Sequence, residues 1–507
     1  MEDGVAGGSR VRKLIIAALL GGAMCAGVFA SGSAEVAAHG SSAFSIISGI
    51  FMTLVMFLVI TLVATEKVHR TLVVFFIAAS LLFLNYTLGH FVPALQFLSL
   101  GQAFGAIDGE VIALLVSMMM IVGVLSQTRV FEWLAVKLFE YSRGNIVILF
   151  FSFFFITAVL SAFLDNVTTI FLIVPVAISI SKIFEINPVR FVIPMIIASN
   201  LGGAATLIGD PPNIMIGSYA GLSFNSFISN LGFPIVVMSI IIAVSMYVLM
   251  KGELSRVKKI EDFDATLKEM KKTYKIKHKK LLISSLLVLT LVIIFFFLHG
   301  FFHMPAAVPA VMGAALLMLI RDRLIRRKFG KCHESKEMME QRIHETFSRD
   351  VEWLVIGFFI FLFMIVGAVE HTGLLDLVAQ SIQDTFGDNL LVCALAILWI
   401  SAIFSAFLDN IPFTAVMLPV VASLIEFYTV QGIEANFLWW TLAFGACLGG
   451  NGTLIGSSAN LVAAGLLEKE KIHLSFLEYF KLGFPLMLLQ VAMASVAVYV
   501  MYIGSLS

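Results

Sequence analysis

Apolar runs near membrane-spanning length recur along the whole chain. Phe44–Ala64, Phe227–Met250, Leu281–Leu298 and Leu482–Met501 are the clearest, and Leu72–Leu84 and Val111–Leu125 reach that length with their flanks. A helix needs about 20 apolar residues to cross the hydrocarbon core of a bilayer. The short alternating segments of a transmembrane β-barrel do not occur in the sequence. The pattern predicts an all-α polytopic membrane protein, with crossings near 43–65, 71–90, 110–127, 190–216, 229–250, 281–298, 305–320, 351–369, 437–465 and 482–503. Composition agrees: 60% of residues are hydrophobic and 13% charged, against about 25% charged in an ordinary soluble protein.

Two further apolar stretches, 146–181 and 391–427, are too long for one crossing, and Leu-Asp-Asn interrupts each near its middle. Each is predicted to be a re-entrant hairpin of two half-helices, with tips near 165 and 409. At the start of the chain Arg10, Arg12 and Lys13 precede the apolar stretch Leu14–Ala30. Residues 1–34 read equally as a signal peptide and as a first transmembrane helix.

The distribution of basic residues orients these elements. With the N-terminus inside, all 33 Lys and Arg fall in the inner segments 1–13, 66–70, 128–145, 182–190, 251–280, 321–350 and 466–481. The outer segments hold none, as the positive-inside rule requires of a correct crossing count. The basic loops 251–280 and 321–350 are therefore expected to be cytoplasmic topology determinants that touch anionic lipid.

The hairpins belong to an internal repeat. SAFLDN at Ser161–Asn166 recurs at Ser405–Asn410, an offset of 244, and the same offset links Thr128 to Thr372, Asn145 to Asn389 and Pro175 to Pro419. Further on, LGGAATLIGDPPN at Leu201–Asn213 matches LGGNGTLIGSSAN at Leu448–Asn460 with an offset of 247. The chain divides into repeat 1 (43–250), a basic linker (251–280) and repeat 2 (281–505). Each repeat holds five crossings and one hairpin, and an odd number places the second copy upside down. Inverted repeats whose interrupted helices meet near the midplane are a transporter architecture.

Irregular backbone at membrane depth survives only when buried in protein or lining a wet cavity. Half-helix N-termini then suit anions, and freed carbonyls suit cations. The hairpin tips supply Asp165, Asn166, Thr168, Asp409, Asn410 and Thr414. The second element breaks at Gly202, Gly203 and Gly209 in one copy, where Pro211 and Pro212 cannot continue a helix, and at Gly449, Gly450 and Gly456 in the other. These breaks add Thr206, Asp210 and Asn213, and Thr453, Ser457, Ser458 and Asn460. No Lys or Arg is expected at that depth to pair with Asp165, Asp409 or Asp210. A proton or a bound cation such as Na⁺ at Asp165, Asn166, Asp409 and Asn410 would then compensate the carboxylates, whose burial costs at least about 2.5–3.5 kcal/mol each. An Asp-Asn pair at a hairpin tip also caps the helix that follows.

Zero net charge gives no reason to expect a nucleic-acid partner, and the scattered Cys25, Cys332, Cys393 and Cys447 show no pairing or metal spacing. An ion channel is the rival to a carrier. An intramembrane enzyme is not expected: there is no Gly-x-Gly-Asp element, HExxH motif or Ser-Lys dyad at depth.

At SAFLDNVTTIFLIVPV (161–176), NPVRFVIPMIIASNLGGAATLIGDPPNIMIGSYAGLSF (187–224) and SAFLDNIPFTAVMLPV, the chain resembles the ion transporter superfamily. The resemblance is to ArsB/NhaD-type permeases with a citrate-transporter-like domain, in the P-protein-like branch, over about 45–505. It implies scaffold and transport domains, elevator-like movement of the hairpin domain and a homodimer through the scaffold. Relatives that carry dicarboxylates have Ser-Asn-Thr at each hairpin tip. Here the positions read Asp165-Asn166-Val167 and Asp409-Asn410-Ile411, which favours a proton- or Na⁺-linked site. The expected function is secondary active transport coupled to Na⁺ or H⁺, either Na⁺/H⁺ antiport or cation-coupled anion transport, with an arsenite or organic-anion permease as the alternative. No cofactor is expected beyond the transported or coupling ion. The expected location is the inner membrane of a bacterial or archaeal cell.

Overall fold

In the computed structural model of the 507-residue chain, residues 43–65, 68–92, 95–254, 262–329, 347–348, 350–386 and 389–505 are described. The signal peptide or first helix at 1–34 lies outside them, as does most of 330–349. All regular elements among the described residues are helical, and ten helices are long and apolar enough to cross a membrane.

The first run gives α1 (Ala43–Thr65) and α2 (Arg70–Tyr86), followed by α3 (Gly109–Ser126) and α4 (Val130–Ser142). Hairpin 1 is α5 (Ile146–Phe163) and α6 (Asn166–Ile183). The broken element is α7 (Pro188–Ala204) and α8 (Pro211–Ala220), and α9 (Phe233–Leu254) closes the repeat. The linker contains α10 (Phe263–Thr273). The second copy runs α11 (Lys279–Leu298), α12 (Ala307–Phe329), α13 (Trp353–His371) and α14 (Leu374–Phe386). Hairpin 2 follows as α15 (Leu390–Phe407) and α16 (Asn410–Val430), then a second broken element, α17 (Leu438–Gly449) and α18 (Ser458–Lys469), and finally α19 (Phe476–Ser505). The starts of α3, α4, α5 and α6 are each displaced by 244 positions to give those of α13, α14, α15 and α16. The repeat is thus a repeat of helices as well as of letters.

One expectation needs correction. The hairpin arms are not half-helices: α5, α6 and α15 have 18 residues and α16 has 21. At 1.5 Å per residue they are about 27 to 32 Å long, comparable with the hydrocarbon core. The Asp-Asn cap stops a helix, but nothing in the apolar flanks shortens the arms. Segments 128–145 and 370–390 contain α4 and α14. In α4 the buried Phe131, Ala135, Val136 and Phe139 share one face. Such short amphipathic helices vanish in a hydropathy average of spanning length.

The described residues form two compact units, one drawn from 43–109, 354–446 and 495–505, the other from 110–353 and 447–494. The second unit holds hairpin 1 and both helix breaks. Its central helix is α7, in which every residue from Phe191 to Ala204 is buried. A helix apolar on all sides belongs inside a bundle. Gly202 lets α7 approach α5 closely: a Cβ there would sit 2.0 Å from the Ala158 carbonyl oxygen. On the hairpin's flank α10 docks on α4, with Phe263 stacked on Phe139 at 5.1 Å and Lys271 paired with Glu140. The first unit holds hairpin 2.

Candidate functional site

In the second unit, α5 ends at Phe163, Leu164 is extended, and Asp165 is the N-cap of α6. One Asp165 carboxylate oxygen accepts from the Thr168 N–H at 2.8 Å, and the other accepts from the Thr168 hydroxyl. The carboxylate is buried, and among the described residues no Lys or Arg pairs with it. The neighbouring Asn166 is 2% exposed and donates its amide to Asn200 Oδ1 at 3.2 Å. Asn166 Oδ1 has no hydrogen-bond partner among the described residues. The tip therefore presents a cluster dominated by acceptors that is largely buried.

The breaks lie behind this tip. Helix α7 stops at Ala204 and α8 starts at Pro211, where proline gives up no needed hydrogen bond. The carbonyls freed between them are collected by one side chain. Asn213 Nδ2 donates to the Thr206, Ala204 and Gly203 oxygens at 2.9, 3.2 and 3.4 Å. Asn460 does the same in the second copy, to Gly450 O at 2.7 Å and Thr453 O at 2.9 Å. The Thr206 hydroxyl donates to the Ala162 carbonyl and ties the first break to the end of α5. Thr453 Oγ1 accepts from the Ile455 N–H at 3.2 Å within its own loop. Asp210 and Ser458 are buried at the starts of α8 and α18.

A chain of amides joins tip and breaks. Asn200 Nδ2 donates to Asn460 Oδ1 at 2.9 Å and to Asn451 Oδ1 at 3.0 Å. Asn200 Oδ1 accepts from Asn166 and, at 3.2 Å, from the Ser457 hydroxyl. Asn451 in turn donates to Gln490 Oε1 at 2.9 Å. The orientation is fixed from the breaks outward. Asn460 must turn its NH₂ to two carbonyls, so it offers its oxygen to Asn200. Asn200 must then offer its own oxygen to Asn166, and Asn166 is left with its oxygen unpartnered. A reciprocal contact joins Cys447 Sγ to Asn213 Oδ1 at 3.4 Å, and Cys447 stands where the 247 offset places the counterpart of Asn200. Asn200, Asn451 and Gln490 are absent from the set expected from sequence. A polar amide beside each Gly-Gly pair was the available signal. Gln490, alone in α19, had none.

A cavity of about 330 Å³ lies at the far end of α8, lined among others by Glu110, Leu207, Ile214, His299, His303 and Met304. No hairpin-tip residue lines it. His299 is buried there, with Nε2 accepting from the Phe224 N–H at 2.9 Å.

Asp409, Asn410 and Thr414 belong to the first unit. Asp409 caps α16, accepting from the Ile411 N–H at 3.1 Å. The expectation that no basic residue pairs with it is wrong: Arg70, the first residue of α2, meets its carboxylate at 2.6 Å. The guanidinium also lies 5.1 Å from the Phe358 ring centroid. Sequence separation hid the pair, because Arg70 reads as one more inner basic residue. Thr414 returns its hydroxyl to Asn410 O at 2.7 Å inside α16.

The family described as "Citrate transporter" matches residues 60–445 of this chain. An uncharacterized transporter of Mycobacterium bovis is 34% identical over 442 residues, 87% of this chain and 96% of that protein. The P protein of Mus musculus is 30% identical over 529 residues, 90% of this chain and 59% of that protein. The P protein of Homo sapiens is 32% identical, covering 75% of this chain and 52% of that protein. The Alcanivorax borkumensis YdaH transporter, a crystal structure with an unusual topology, aligns with a TM-score of 0.54 at 15% identity over 86% of this chain and 98% of that one. At that identity the likeness is one of fold.

Proposed function

The chain belongs to the citrate transporter family and is a membrane transporter, and from that premise we propose that it is a secondary transporter energised by Na⁺ or H⁺. The observation that carries the proposal is the tip of hairpin 1. Among the described residues, a buried Asp165 carboxylate with no basic partner stands beside an Asn166 oxygen with no donor. Hard oxygen acceptors without a counter-charge favour a proton or a small monovalent cation.

On this proposal the ion neutralises Asp165, and neutralisation lowers the cost of moving the tip through a low-dielectric layer. The amide chain holds Asn166 in the orientation that keeps its oxygen toward the ion. The cargo is Na⁺ exchanged for H⁺, or a small anion carried with the cation. The family description speaks for an organic anion such as citrate, and the acidic tips speak for cation exchange. Alternating access by elevator-like movement, the inner membrane of a bacterial or archaeal cell and cytoplasmic placement of the basic loops complete the proposal.

The test is flux in proteoliposomes under imposed Na⁺ and pH gradients, with and without citrate and related anions. Asp165→Asn is expected to lose coupled flux while the protein remains folded. Full coupling retained in that variant would remove hairpin 1 as the ion site.

A further inference from the structure

The two hairpin tips repeat the same six letters, yet their carboxylates are compensated differently. In hairpin 1 the carboxylate of Asp165 accepts from the Thr168 N–H and hydroxyl, and among the described residues no Lys or Arg pairs with it. The 244 offset puts Pro412 at the position of Thr168, and proline has no side-chain donor and no N–H. In hairpin 2 the second carboxylate oxygen of Asp409 faces the Arg70 guanidinium at 2.6 Å. The Asp409 side chain is 3% exposed and that of Arg70 21%. A charge-assisted contact this short, with the carboxylate out of water, is a full counter-charge. Phe358 beneath the guanidinium adds a cation–π contact that holds it in place.

We propose that Arg70 is a tethered cation that occupies hairpin 2, so that Asp409 binds no mobile ion and hairpin 1 is the one tip that takes a coupling cation. The inference rests on the coupling proposed above for hairpin 1, but it concerns how many ions are coupled and where. A guanidinium stays charged at every physiological pH, so hairpin 2 is neutralised permanently and without regard to the ion gradients. Thr168 against Pro412 is the sequence difference, and the Arg70 contact at Asp409 is the structural one, that divide the roles.

The experiment reads the thermal unfolding midpoint of the detergent-purified full chain. Na⁺ is compared with choline at equal ionic strength under alkaline conditions, where protons do not compete. Wild-type stabilisation by Na⁺ is expected to vanish in Asp165→Asn and to persist in Asp409→Asn. Arg70→Gln bares the buried Asp409 and is expected to add a second Na⁺-dependent increment, as a second independent site does. Arg70→Lys should keep the wild-type response, and the double variant Arg70→Gln/Asp409→Asn should lose the added increment. The proposal is overturned if the wild type shows no Na⁺ stabilisation, if Asp409→Asn abolishes the wild-type Na⁺ response, or if folded Arg70→Gln responds to Na⁺ as the wild type does. Should Arg70→Gln not fold, the comparison of Asp409→Asn with wild type still decides. Failure of the coupling proposal itself is seen separately, as absence of Na⁺- or pH-driven flux in wild-type vesicles.

Discussion

Asn200 makes four side-chain hydrogen bonds from within a helix that is buried on every side. An amide is suited to this position because it donates and accepts at once, which neither a carboxylate nor a hydroxyl does with the same reach. Removing it leaves Asn166, Asn451, Asn460 and Ser457 each short of a partner. Every stranded buried polar group costs about 1–3 kcal/mol. Asn200→Leu is therefore expected to lower the unfolding midpoint well below that of wild type, and Asn200→Asp, whose second oxygen would face the Asn451 and Asn460 oxygens, to lower it as well. Equal stability of Asn200→Leu and wild type would show that the chain of amides contributes nothing. Asp165 was legible in the sequence as a residue out of place in an apolar run. Asn200 was less so, since its role depends on four partners from 34 to 260 positions away. Arg70 was misread for the same reason.

Among elements, the contact of α5 with α7 is the tightest feature of the second unit. A methyl group at Gly202 would fall 2.0 Å from the Ala158 oxygen, and two packed helices cannot absorb that without separating. Gly202→Ala is expected to destabilise by about 1–3 kcal/mol, the range for overpacking a close contact, read as loss of folded protein on heating in detergent. The docking of α10 on α4 makes a different forecast. The Lys137 and Lys271 ammonium groups hold Glu140 below its ordinary value of 4.5. A carboxylate depressed by folding stabilises above its unfolded pKa and loses that contribution as pH falls through the folded value. The protection of α10 amides, taken relative to their intrinsic exchange rate at each pH, should thus be unchanged between neutral pH and about 5 and fall only on further acidification; Glu140→Gln should remove that acid-side fall. The Leu-Asp-Asn breaks located the hairpins, because a polar cap inside an apolar run has few alternative explanations. Helices α4 and α14 are not marked by run length, because a single apolar stripe is diluted in a hydropathy average of spanning length.

At the scale of the whole molecule, the placement of every Lys and Arg gives a topology that labelling can check. Single cysteines at 217–228 or 370–390, in a background lacking the native four, are expected to react with impermeant thiol reagents from outside the cell. Cysteines at 262–273 should react only after permeabilisation. The reverse pattern would invert the orientation proposed here. The compact units are not the repeats: one of them joins hairpin 1 to residues 447–494 of the second copy. That is why Asn200 finds Asn460 and Cys447 finds Asn213, contacts that no spacing along the chain announces.

By itself the sequence determined the membrane class, the repeat, the two hairpins, the two broken helices and the family. All of these are written in local signals, namely apolar run length, capping residues, Gly and Pro, and copies of a motif. Only the tertiary structure decided which freed carbonyls are already taken, which amide oxygen is left without a donor, and that Arg70 faces one of two identical tips. Hydrogen bonds and ion pairs depend on distances of a few ångströms between residues far apart in the chain, and packing alone sets those distances.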